Sequence, residues 1–414
     1  MRMTVFTCCA LLASCSDDVC DPDSADTICT VAGNGTQAAP LDGPARESPM
    51  DVPIDIAIAP HGELWVIDFN NYVLRAIDRT GTIRTVVGSG LLGTSPPAGV
   101  ERVPALEAEL SHNSDLVFHD GYLYLAAWHN SSIKRVRLSD MTLENFAGIG
   151  KRTYYDGDGG PALAAALDLP AALAFAPDGE LAVMDQANQV IRAVDPAGII
   201  RTIAGQCIAD LYPACATGEE PTACAGSHKL VCGDPAYCAS QTCSPAFAGD
   251  GGPALQARIA QPFGAAIMPS GHLAYDTAGN LLFNDTDNHR IRKIDPAGII
   301  TTVAGTGVRG YAGDDGAAAA AQLDAPADLA LAPDGTIYFT DTHNNCIRKI
   351  DPGGTISRVV GQCSSDPDAR GFSGDGGSPL DAVLDRPYGL HLAGDKLYVA
   401  DSFNHRVRVA NLRR

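Results

Sequence analysis

The chain is 414 residues long and 45% hydrophobic, enough to bury a large core. Its 49 acidic residues outweigh 29 basic ones, for a net charge of −20. That balance excludes a nucleic acid partner, which is bound by neutralising phosphates with Lys and Arg, and disfavours an anionic membrane surface.

The first elements in chain order form an address. Arg2 supplies a short positive region, Thr4 to Ala13 is a short apolar run, and Leu12-Ala13-Ser14-Cys15 closes it. This ending resembles a bacterial lipobox, so residues 1–14 are expected to be a signal and Cys15 the lipidation site, with residues 15–27 a linker. The expected location is the cell envelope or the extracellular space, with membrane contact only through the N-terminal lipid; a plain secretory signal is the alternative. No later apolar run approaches the roughly 20 residues of a membrane span. The 13 cysteines fit an oxidising compartment.

From there the sequence repeats. The string D-x-x-N-x-x-[IVL]-R reads Asp68–Asn71–Arg75, Asp185–Asn188–Arg192, Asp285–Asn288–Arg292, Asp341–Asn344–Arg348 and Asp401–Asn404–Arg408, with a decayed copy at Ala127–Asn130–Lys134. The spacings are about 59, 58, 100, 56 and 60 residues, which gives six units, one carrying an insertion. In the fifth unit, Leu329–Ala332, Ile337–Thr340, Ile347–Ile350 and Thr355–Val360 are strand-forming runs. Pro, Gly, Asp and Asn punctuate the junctions. Four antiparallel strands, six times over, predict an all-β, six-bladed β-propeller over residues 28–414. The last unit stops after its third strand, and Ile28-Cys29-Thr30-Val31-Ala32-Gly33 matches the fourth strands of other units. An N-terminal strand is therefore expected to close the ring, leaving no open edge.

The D-x-x-N loops and the long linkers between units fall on one face. In the hairpin around Asn288 and His289, Asp285 and Arg292 are expected to lie opposite each other and pair, with Asn in the left-handed turn conformation. A second string, aromatic-x-G-D-[GD]-G, occupies the linkers and contains Asp158, Asp250, Asp314 and Asp375. These carboxylates are expected to cap a short helix or fix a turn; calcium binding is the sharper alternative. Its aromatics, Tyr155, Phe247, Tyr311 and Phe372, are candidate ligand contacts on the loop-rich face, or packing for the linkers. Residues 207–243 form a cysteine-rich insertion on that face. Cys207, Cys215, Cys224, Cys232, Cys238 and Cys243 lack paired C-x-x-C spacing and are expected to form disulfides, as are Cys20 with Cys29 and Cys346 with Cys363.

The repeated D-x-x-N-x-x-I-R-K-I-D and G-x-I-x-T-V-A-G segments resemble the NHL-repeat β-propellers, in the manner of secreted bacterial NHL proteins and the NHL domain of teneurins. The resemblance covers about Ile28 to Asn411 and implies a propeller scaffold; the family holds binding modules, adhesion modules and a few enzymes. H-E-x-x-H and G-x-S-x-G are absent. The starts of the inner strands read Asp55, Ser114, Ala172, Gly271, Asp328 and Gly389, a poor metal-ligand set, with His272 and His391 nearby. The expected function is a secreted or surface-anchored monomeric scaffold that recognises a protein or glycan, without catalytic residues or a resident cofactor. The alternatives are a metal-dependent lyase or hydrolase working near Asp55 and Asp328, and a structural envelope protein.

Overall fold

The computed structural model describes residues 20–152, 155–207, 222–223, 230–231, 246–262, 268–366 and 368–413. Residues 1–14, Cys15, and Cys215, Cys224, Cys232, Cys238 and Cys243 lie outside the described residues. Among the described residues no helix is long and apolar enough to cross a membrane.

Six antiparallel sheets form the blades. Blade 1 runs Pro53–Ile58, Leu64–Asp68, Val73–Ile77 and Thr82–Val87. Blade 2 runs Asn113–His119, Tyr122–Ala127, Ser132–Arg137 and Thr142–Ala147. Both gain a two-residue fifth strand from the preceding linker, Gly43–Pro44 and Val103–Pro104. Blade 3 comprises Pro170–Phe175, Leu181–Asp185, Val190–Val194 and Ile200–Gly205; blade 4, Leu273–Tyr275, Leu281–Asp285, Arg290–Ile294 and Ile300–Ala304. Blade 5 comprises Pro326–Leu331, Ile337–Asp341, Cys346–Ile350 and Ile356–Val360. Blade 6 comprises Pro387–Ala393, Lys396–Asp401 and Arg406–Asn411, and its fourth strand is Thr27–Ala32.

The last pairing closes the ring, with Ile28 opposite Ala410 and Cys29 opposite Val409. The burial pattern explains the composition of each strand. The middle strands of blade 1, LWVID and VLRAI, are buried throughout because neighbouring blades cover both faces. The outer strand TIRTVV alternates, since one of its faces meets water. Apolar clusters span the blade junctions; Ile133 and Ala147 of blade 2 pack with Leu173 and Val183 of blade 3.

Each D-x-x-N string forms a single 3-10 turn followed by one residue in the left-handed conformation: Tyr72, Ser131, Gln189, His289, Asn345 and His405. The Asn of the string is not the left-handed residue. Its side chain is needed instead, as Nδ2 of Asn71, Asn188, Asn288 and Asn404 donates to the Asp of its own string at 2.9 Å. The glycine that ends each fourth strand fits against this turn. A Cβ at Gly305 would collide with the His289 carbonyl oxygen, and one at Gly205 with that of Gln189.

Two disulfides join described residues. Cys20–Cys29 ties the start of the chain to the closing strand, and Cys346–Cys363 links blade 5 to the linker that follows it. Cys207 is also disulfide-bonded.

Candidate functional site

The two repeated strings meet. In five blades the arginine of the first string lies between two carboxylates. One is the buried Asp of its own string; the other is an Asp of the preceding linker. Arg348 Nη1 is 3.1 Å from Asp341 and its Nη2 is 2.6 Å from Asp314. Arg292 stands likewise between Asp285 and Asp250, Arg192 between Asp185 and Asp158, Arg408 between Asp401 and Asp375, and Arg75 between Asp68 and Asp42. Asp285 and Arg292 pair diagonally rather than opposite each other, since Asp285 faces Arg290 and Arg292 faces Phe283. All five arginine side chains are fully buried. Burial pushes Asp185 and Asp401 up to about 7 even beside their arginines.

The linker aspartates do not cap the short helices after them; Ala162–Ala164, Ala254–Gln256 and Ala318–Ala320 have no side-chain cap bond. They clamp the fourth strand instead, Thr202 N–H donating to Asp158, Thr302 N–H to Asp250 and Thr30 N–H to Asp375. The linker aromatics cover the arginines. The guanidinium carbons of Arg192, Arg292, Arg348 and Arg408 lie 4.9–5.1 Å from the ring centres of Tyr155, Phe247, Tyr311 and Phe372. Tyr155 and Tyr311 also bond Asp158 and Asp314 through their hydroxyls. Phe247 and Phe372 stay about 40% exposed, and a second guanidinium lies over each ring, the carbons of Arg290 and Arg406 standing 3.8 Å from the ring centres.

The channel is richer in acid than the strand starts suggested. The residues that precede the inner-strand Ile or Leu are Asp55, Asp115, Ala172, His272, Asp328 and Gly389. Asp115 and His272 hold the positions that the sequence assigned to Ser114 and Gly271. The slip at Asp115 falls at a register irregularity, between Asn113 and Leu116, which breaks simple alternation. Three of these side chains tie neighbouring blades. Asp55 accepts the Leu116 N–H, Asp115 the Leu173 N–H and Asp328 the Leu390 N–H, at 2.6–2.8 Å. Gly389 leaves room where a Cβ would strike the Ile54 carbonyl oxygen of blade 1. His272 Nδ1 is 3.1 Å from Asp328 and 3.9 Å from Asp115. Burial, then His391, hold His272 down to about 4. Burial alone accounts for most of the rise of Asp55 to about 6.

A cavity of about 20 Å³ lies here, lined by Asp55, Ser114, His272, Asp328 and Tyr388. That volume admits about one water. Among the described residues no three His, Cys, Asp or Glu side chains gather as a metal site. Among the described residues the channel is thus closed by a hydrogen-bonded plug.

The loops between second and third strands differ from blade to blade. The third residue of each D-x-x-N string is Asn70, His129, Ala187, Asp287, His343 or Phe403. All but Ala187 are exposed or half-exposed. At blades 1 and 2 an aromatic patch gathers. The His112 ring lies against Phe69 and Tyr72, and His129 stacks on Trp128 at 4.3 Å. His112 and His129 approach through their Nδ1 atoms at 2.8 Å. This patch was not read from the sequence; its signal was Trp128-His129 inside the decayed copy.

No family model matches the chain. It is 25% identical to human Teneurin-1 over 399 residues, covering 92% of this chain and 13% of the teneurin. The chain thus spans a small part of that relative. A Bacteroides thetaiotaomicron protein of unknown function has a TM-score of 0.61 at 15% identity, covering 93% of this chain and 75% of its own. An auxiliary nutrient binding protein from Bacteroides ovatus gives 0.60 at 14% identity, covering 92% and 76%. The two structural likenesses are of fold. With the teneurin similarity they support an NHL-type six-bladed propeller.

Proposed function

We propose that the protein is a binding scaffold that recognises a protein or glycan through its loop-rich face. One observation carries this reading. The charges that repeat in five of the six units are spent inside those blades, while the position that varies, from Asn70 to Phe403, lies in the loops of the D-x-x-N face. A rigid ring with divergent loop residues suits recognition. The half-buried Tyr72, His112 and Phe403 and the exposed His129 offer aromatic and hydrogen-bonding groups that suit a sugar ring or a peptide. The blade 3 strand that precedes Cys207 ends on this same face, and we read the insertion that follows as a further source of contacts. Phe247 and Phe372 are further contact candidates.

In this reading residues 1–14 direct export and Cys15 carries lipid, which would hold the ring at a bacterial envelope. Radiolabelled palmitate incorporated into the wild type and not into Cys15→Ser checks the anchor; label in both would refute it. For recognition, wild type and a His129→Ala/Phe403→Ala double variant are tested against one panel of defined glycans and purified envelope proteins. Saturable binding that the double variant loses supports the reading. Binding that survives both this variant and removal of Ile208 to Thr242 counts against the loop-rich face.

A further inference from the structure

We propose that blade 2 contains a binding site for a small monocarboxylate of formate size, at the point where the five other blades carry an aspartate carboxylate. In those blades the carboxylates of Asp68, Asp185, Asp285, Asp341 and Asp401 are fully buried. Each accepts a backbone N–H, from Asp51, Asp168, Ala260, Asp324 and Asp385 respectively, at 2.7–2.9 Å. Each also faces its arginine.

In blade 2 the acceptor is deleted and the donors remain. Ala127 stands in place of the aspartate and is fully buried. Ser111 holds the position of Asp51, is 5% exposed, and its N–H has no protein acceptor among the described residues. Lys134 replaces the arginine and is 2% exposed. Its Nζ donates to the neutral Asn145 Oδ1 at 3.0 Å, and no ion pair forms among the described residues. The linker carboxylate is lost as well. Glu101 stands in the place of Asp158, but it is 81% exposed and turns to Arg102.

Ser132 completes the set. It lies directly opposite Ala127 in register, and two residues from Lys134 on the same face of its strand. Its Oγ is buried without a partner, as is that of Ser131. A buried ammonium with no counter-charge is costly, and so are buried hydroxyls with no acceptor. One carboxylate group beside the Ala127 methyl would answer the Lys134 ammonium, the Ser132 hydroxyl and the Ser111 N–H together. Alanine retains its Cβ, so the missing piece is a single carboxylate, which formate matches.

Melting of the full chain in sodium formate and in sodium chloride at equal ionic strength tests this. Formate is expected to raise the melting temperature in a saturable manner, by several degrees at 100-fold excess over its dissociation constant. Ala127→Asp supplies the carboxylate from the chain and is expected to abolish the formate response. Lys134→Gln is expected to abolish it too, and decides the matter if Ala127→Asp does not fold. A formate response that persists in the folded variants overturns the site. So does a wild type that melts alike in formate and chloride.

Discussion

The Thr30 backbone N–H donates to Asp375 Oδ2 at 3.0 Å across 345 residues of sequence. This bond belongs to the seam where the closing strand joins blade 6, and the same Asp375 holds Arg408 at 2.8 Å. Removal of residues 1–32 takes away the whole fourth strand of that blade and exposes the edge of Arg406–Asn411. The shortened chain is expected to melt far below the parent and to aggregate on heating. An unchanged melting temperature by scanning calorimetry would refute closure by this strand.

The Asp–Arg–Asp stations should respond asymmetrically to mutation. Asp341→Ala or Asp314→Ala leaves the buried Arg348 with one carboxylate in place of two. Breaking a buried pair costs about 3–5 kcal/mol. Asp341→Ala should approach that range, measured by urea unfolding. Asp314→Ala should cost less, since its side chain is 23% exposed and water can replace it. Equal losses would show that burial is not what sets the difference.

Two glycines of blade 4 separate conformational strain from collision. Gly298 and Gly305 both have positive φ, +76° and +93°, but only Gly305 lacks room for a Cβ. Gly298→Ala should cost about 1–2 kcal/mol, the ordinary penalty of the left-handed region. Gly305→Ala should cost clearly more, because the His289 carbonyl must move. Similar unfolding midpoints for the two variants would disprove the packing argument.

The channel carboxylates predict a pH dependence. Burial raises Asp55 to about 6, and burial and then the Asp55 charge raise Asp115 and Asp328 well above the usual carboxylate value. The folded protein therefore retains protons that the unfolded chain releases near pH 4. The stabilisation is fully present below that pH and is lost as pH rises through about 6 and beyond. His272, held down to about 4, works in the opposite direction as pH falls below about 6.5. Comparing wild type with Asp115→Asn isolates the carboxylate effect. Between pH 5 and 7.5 the variant should lose less stability than the wild type; parallel curves would remove Asp115 as a source.

Much of this architecture could be read before any coordinates. The period of the Asp–Asn–Arg string gave the blade count, and the likeness of Thr30-Val31-Ala32-Gly33 to internal fourth strands gave the ring closure, now seen as paired strands. The meeting of the two repeated strings could not be read. Arg348 and Asp314 are 34 residues apart, and Asp314 lies in a linker where no strand alternation fixes direction. The channel set slipped by one residue at Asp115 because irregular pairing at that strand start defeats counting by twos. Aligning Asn113-Ser114-Asp115-Leu116 with Pro53-Ile54-Asp55-Ile56 would have recovered Asp115. The missing carboxylate of blade 2 was half legible: Ala127 and Lys134 marked the decayed copy, but the orphaned Ser132 hydroxyl emerges only from its register.

The seam in blade 6 also sets an order of events during synthesis. Thr27–Ala32 is the earliest described strand to be made, and its partners are the last. At about 5–20 residues per second, the 345 residues between Thr30 and Asp375 occupy about 17–70 s. For that interval a strand-forming segment has no place to dock, so five blades can assemble while the sixth waits, and the newborn ring is locked only as its final strand arrives.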